Sequence, residues 1–242
     1  MQAESHDDTS PALRVAVSPR AAGRGMAAAV AFLAIAGLAV NLAPLVIAQP
    51  SKGMLFLLNQ FQLDGEGNIP TWFASVLLLA NAALFALIGA GHRGEGLQRA
   101  GWFGLSAMFV LLSMDEAVSL HEAAGRAFSR LTGLGGGETF AWLIPAVPIV
   151  ACLGLIFLRF VVGLPGRTRV LVLLAGGLFL SGAMGTEAVG WAVGRDPDRW
   201  DWTYQMVTLV EEVLELAGQA LLFYALVDCM AQTRLMLRVD PA

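Results

Sequence analysis

The sequence predicts an all-α protein, a polytopic transmembrane helix bundle of about six spans with both termini on the cytoplasmic side. Three observations carry that expectation. Hydrophobic residues make up 57% of the 242 and charged residues only 14%, with a mean hydropathy of +0.66, which exceeds what a soluble domain with a wet surface shows. Apolar runs recur at the roughly 20 residues a helix needs to cross about 30 Å of hydrocarbon. Lys and Arg are also divided unequally between alternating loops.

Residues 1–25 are polar, carry Pro11 and Pro19, and are expected to form a disordered cytoplasmic tail. The bundle is predicted over 26–231, with a short cytoplasmic tail at 232–242. Its first span covers 26–47. Val46-Ile47-Ala48 ends in small residues of the kind signal peptidase accepts. Glu4, Asp7 and Asp8 precede the run, however, and it exceeds the roughly 7 to 15 residues of a signal core, so a retained anchor is expected. The semi-apolar stretch 48–70, with Met54, Leu55, Phe56, Leu57, Leu58 and Phe61, is predicted either to lie along the membrane surface as a short amphipathic helix or to cover a site.

Further spans are predicted at 71–91, 101–122, 140–163, 170–193 and 204–230. Pro145 and Pro148 mark a kink and a freed carbonyl in the fourth. Gly133 to Gly137 reads as a flexible outer loop, because no Lys follows to make it a phosphate cradle. No internal repeat emerges.

Orientation follows from the cations. Arg14, Arg20, Arg24, Arg93, Arg99, Arg159, Arg167, Arg169, Arg234 and Arg238 fall on one side, and Lys52, Arg126, Arg130, Arg195 and Arg199 on the other, which puts the termini inside. Trp72, Trp142, Trp191, Trp200 and Trp202 all fall at outer helix ends or in an outer loop, where amphipathic rings settle at headgroup level. One Lys against fourteen Arg, with many Ala and Gly, reads as a high-GC bacterial genome. The expected location is therefore the bacterial cytoplasmic (inner) membrane, with the lipid bilayer as first partner.

Several function classes are excluded. The basic residues form no nucleic-acid stripe, and neither a P-loop, a dinucleotide fingerprint nor a G-x-S-x-G elbow occurs. Cys152 and Cys229 sit in no metal-ligand spacing and are expected to be small core residues. No reaction is assigned.

The chemistry lies in seven carboxylic acids and one histidine within apolar segments: Asp115, Glu116, His121, Glu122, Glu187, Glu211, Glu212 and Glu215. Each costs roughly 2.5 to 3.5 kcal/mol at membrane depth on insertion scales, so protons, a metal or arginines must neutralise the group. Asp115 lies about 10 Å below the outer boundary and Glu211 about 12 Å in, at 1.5 Å per residue. Glu187, seven residues before Gly194, is placed at the same level.

At 100° per residue, Tyr204, Thr208, Glu211, Glu212, Glu215 and Gln219 form one polar stripe on the last helix. On the third, Asp115, Ser119, Glu122 and Arg126 form another, with Asp115 and Glu122 inward and Glu116 and His121 on opposite flanks. Glu187 stands beside a small-residue row, Gly176, Ala183, Gly190 and Gly194, that would let another helix approach closely.

Carboxylates with a histidine on neighbouring helices are raw material for a carboxylate-rich site for a divalent metal, Fe, Mn or Ca. The ferritin-like pattern of two Glu-x-x-His pairs is not met, since the chain offers Glu212-x-x-Glu215 and one intramembrane His. Candidate ligands are Asp115, Glu122, Glu187, Glu211 and Glu215, with His121 or Glu212 as a flanking ligand or supporting base.

Ser113-Met114-Asp115-Glu116, followed by Leu120-His121-Glu122, resembles a run found in uncharacterised bacterial multi-spanning membrane proteins, an S-x-D-E-x3-L-H-E helix. The resemblance covers about ten residues and implies a recurring membrane family without a substrate. Two other functions suit the same features. One is a non-catalytic accessory or structural subunit of a larger respiratory or photosynthetic complex, partnered by other membrane-protein subunits and using the acids to fix helix packing. The other is a proton- or cation-coupled transporter.

The charge division makes the topology testable. A reporter fused after Ala242 should score cytoplasmic, and one placed in the Gly133 to Gly137 loop periplasmic.

Overall fold

The computed structural model describes residues 17–92, 96–133, 141–186 and 202–233. Among them the protein is helical without strands, and six helices are long and apolar enough to cross a membrane. They are α1 (Pro19–Val46), α3 (Ile69–Gly91), α4 (Leu97–Val118), α6 (Leu143–Val162), α7 (Gly166–Leu180), which continues as a π-helical turn over Ser181–Thr186, and α8 (Trp202–Thr233). Two shorter helices, α2 (Lys52–Asn59) and α5 (Leu120–Thr132), lie between spans.

Local chemistry sets most boundaries. Ser18 caps α1 by accepting from Ala21 N–H with Pro19 in the first turn, so α1 begins before the expected start at residue 26. Ser51 caps α2 through Met54 N–H, and Asn68 caps α3 through Thr71 N–H ahead of Pro70. A short helix does form in the stretch 48–70, and its apolar side chains Met54, Leu55, Phe56 and Leu57 are exposed.

The third span departs from expectation. Instead of one helix over 101–122, α4 ends at Val118 and α5 starts at Leu120, with Ser119 between them at φ 52°, ψ 49°. A non-glycine residue in this left-handed region changes the chain's direction, so the angular projection across residue 119 does not hold.

Helix α8 organises the bundle, packing on α1, α3, α7 and the π-helical turn, while α3 pairs with α4. One core cluster joins Val30, Leu33, Leu63, Leu77 and Leu216. The other stacks Trp102 between Phe85 and Phe160, at ring centroid distances of 5.9 and 5.0 Å, above Leu222 and Leu226. By contrast α6 is peripheral, with 6% of its most apolar window buried against 50% for α8. Cys152 on α6 is consequently exposed on the outside of the bundle, against the expectation of a core residue, whereas Cys229 on α8 is buried.

Close backbone approach between α7 and α8 depends on glycines. Gly218 faces Phe179 N and Ala175 O, which an added Cβ would meet at 2.7 and 2.8 Å, and Gly182 faces Glu211 O at 2.7 Å. Around Gly176 there is nothing within 4 Å, and Gly190 and Gly194 lie outside the described residues.

Because the atoms facing Gly218 are backbone and cannot swing aside, Gly218→Val should separate the two helices and destabilise the protein by about 1–3 kcal/mol. Gly176→Val should stay within about 0.5 kcal/mol. Denaturant melts of the two variants in one detergent check the contrast.

Candidate functional site

Four elements converge at the end of the bundle where α4 finishes and α3, α6 and α8 begin. The Ser119 break exposes the first N–H groups of α5, which have no intrahelical partner. Asp115, on the last turn of α4, supplies one: its Oδ1 accepts from His121 N–H at 2.7 Å, and its Oδ2 lies 3.0 Å from His121 Nδ1. The His121 ring sits edge-on against Trp142 at 5.2 Å, and one turn later Gly125 lets α5 rest on the same tryptophan, where a Cβ would meet Trp142 Cβ at 2.8 Å.

Asp115 and His121, expected on separate faces, are thus hydrogen-bonded to each other. Glu122, expected inward beside Asp115, instead pairs with Arg126 at 2.9 Å on the half-exposed side of α5. Such an i,i+4 pair contributes about 0.3–0.5 kcal/mol. Glu116, expected on a flank, faces Glu66, Asp115 and His121.

The loop between α2 and α3 brings in two carboxylates that were not among the sequence candidates. Leu63 inserts against Gly37 of α1, Asp64 accepts from Tyr204 Oη at 3.2 Å, and Glu66 accepts from Ser119 Oγ. Asn68 Nδ2 donates to Gln62 O at 2.6 Å and Thr71 Oγ1 to Gly65 O at 2.8 Å, which closes the loop on itself. The stretch was legible as a possible cover, but its acids stand in no helical register, so periodicity could not recruit them.

From α8 come Glu211, buried beside Thr208, then Glu212 and Glu215, with Glu215 Cγ packed at the Gly182 position of the π-helical turn. Glu212 lies within electrostatic reach of Glu215, Glu116, Asp64 and Glu211. All six residues of the predicted α8 stripe line one chamber of about 590 Å³. Its wall carries eight carboxylic acids, Asp64, Glu66, Asp115, Glu116, Glu122, Glu211, Glu212 and Glu215, together with His121, and no Lys or Arg among the described residues. Glu187, the remaining candidate, lies outside the described residues.

Among the described residues no three His, Cys, Asp or Glu side chains are gathered so as to hold a metal ion. The donors explain part of this, because Asp115 and His121 are engaged with each other and Glu122 with Arg126.

His121 lies outside the spans, and its pKa is raised above 6.5. Burial opposes the charged imidazole, but the hydrogen bond and charge of Asp115 outweigh it, helped by the charges of Glu122 and Glu116. Stabilisation by this pair is therefore full below the ordinary imidazole value and is lost as pH rises through the raised one. In an NMR titration His121 should show a midpoint above 6.5, and Asp115→Asn should lower that midpoint and flatten the dependence of melting temperature on pH.

The family described as a domain of unknown function (DUF8692) matches residues 26–229 of the chain. No curated protein and no solved structure matches it.

Proposed function

The chain belongs to the DUF8692 family, and we propose that it is a multi-pass protein of the bacterial inner membrane whose chamber binds a cation, opening towards the periplasm. The observation that carries this reading is the convergence of carboxylates from α4, α5, α8 and the α2–α3 loop on a wall without Lys or Arg among the described residues. Two or more like charges close together cannot all ionise cheaply, so part of the set holds protons until a cation arrives. Binding is then an exchange: a carboxylic acid gives its proton to water, and the carboxylate left behind faces the cation. Glu116 of α4 and Glu212 of α8 both line the chamber within electrostatic reach of each other, and we assign the exchange to them.

A divalent metal would require these carboxylates to close around the ion, since no three are pre-arranged for it among the described residues. A proton-coupled transporter would use the same exchange, with release on the opposite side of the membrane. If the acids serve only to fix packing within a larger complex, cations should bind no better than to the protein lacking them.

These readings separate in one experiment on the purified protein in zwitterionic nanodiscs, titrated with methylammonium chloride and with manganese chloride while a pH indicator follows proton release. Binding with release of protons is expected for at least one of the two, and the double variant Glu116→Gln/Glu212→Gln should lose at least ~10-fold in affinity, about 1.4 kcal/mol. If the wild type binds neither cation better than the double variant does, the proposal is wrong. Elemental analysis of the protein as purified adds a direct measure, because stoichiometric iron, manganese or calcium that disappears in the double variant would make the cation a resident metal.

A further inference from the structure

The chamber has two unlike ends. The carboxylates gather at one, while the wall at the other is built from Phe85, Leu105, Phe109, Phe157 and Leu222, deep among the spans. An inorganic cation needs only the first end. At about 590 Å³ the chamber falls within the roughly 300–1,000 Å³ typical of small-molecule sites, which are mostly apolar with a few placed polar groups.

Between the two ends stands Gln219, one turn beyond Glu215 on α8. Its side chain is 2% exposed and lines the chamber, and its Oε1 accepts from no donor. A buried carbonyl oxygen without a partner costs about 1–3 kcal/mol, which a donor on a bound molecule would recover. This oxygen is independent of the acids, and an N–H or O–H group of a bound molecule that reached it would satisfy it.

The wall is also open on one side. Gly154 of α6 and Gly176 and Gly177 of α7 line the chamber and are exposed, and a Cβ at any of them would meet nothing within 4 Å. Gly154 lies on α6, the least buried span, and Gly176 and Gly177 lie on α7. The hollow is therefore open to an aliphatic chain arriving from the bilayer side.

We infer that the chamber takes a cationic amphiphile: a primary ammonium group held among Glu116, Glu212 and Glu215, within reach of Gln219, on a single aliphatic chain that lies along the glycine hollow against Phe85, Phe109 and Phe157. Glu212 and Leu222 are about 15 Å apart along α8 at 1.5 Å per residue, which gives room for a chain of medium length. An aminophospholipid is a poor fit, since its phosphate would be desolvated beside the same carboxylates. The inference rests on the cation-binding reading above.

Decylamine, decanol and methylammonium chloride, titrated calorimetrically into the full-length protein in zwitterionic nanodiscs with empty nanodiscs as baseline, test it. Decylamine should bind at least ~10-fold tighter than methylammonium, because only it brings a buried chain, and decanol should not rise above the baseline. Gly176→Leu, whose side chain enters open space, should bring decylamine down towards the affinity of methylammonium, and Gly154→Leu should do the same from the α6 side. Melts of both variants identify any loss that comes from unfolding. Decylamine binding no tighter than methylammonium overturns the amphiphile while leaving the cation site standing, and so does decylamine affinity untouched in both folded glycine variants. Decanol binding as tightly as decylamine overturns the ammonium head. If neither amine binds above baseline, the cation-binding reading fails with it.

Discussion

A helix that stops at the edge of a membrane leaves backbone N–H groups without partners, and in a low-dielectric setting each must be satisfied by something nearby. At Ser119 this requirement organises the end of the bundle where α4 finishes. Asp115 accepts from His121 N–H, and the same carboxylate holds the His121 ring. That ring rests on Trp142, which brings the start of α6 against α5. The Ser119 hydroxyl, free of helical duty at the break, donates to Glu66 and so pins the α2–α3 loop over the chamber. A single left-handed residue therefore couples α4, α5, α6 and the loop.

The consequence for the acids is a division of labour. Asp115 is engaged with His121, and Glu122 with Arg126 at the half-exposed edge. Glu116 and Glu212 instead look into the chamber from opposite helices. An acid that caps a helix is engaged structurally, whereas one set among several other acids changes its energy with each proton or cation that enters. This difference separates the structural members of the cluster from those able to respond to a ligand.

The π-helical turn contributes on the other side of the chamber. Ser181–Thr186 carries Gly182, which lets the backbone of α8 at Glu211 and the stem of Glu215 come close. Local π-helix is energetically unfavourable and persists where packing or function maintains it. Here the wider turn sits directly beside two of the chamber's carboxylates, so it shapes the space around them.

The sequence by itself determined the six spans, because hydropathy is a local property and each run of about 20 apolar residues must cross the membrane wherever its neighbours lie. It also determined the polar stripe of α8. Tyr204, Thr208, Glu211, Glu212, Glu215 and Gln219 all line the chamber, since 100° per residue holds along a helix with unbroken hydrogen bonds. Only the tertiary structure decided the arrangement around Ser119. A serine carries no signal for a left-handed conformation, and once the ladder breaks there, the projection that put Asp115 with Glu122 and apart from His121 loses its basis. The recruitment of Asp64 and Glu66 and the outward position of Cys152 were likewise settled by packing, through Leu63 seated at Gly37 and α6 lying at the margin. Contacts between segments far apart in the chain depend on which surfaces meet, and periodicity within one segment does not contain that information.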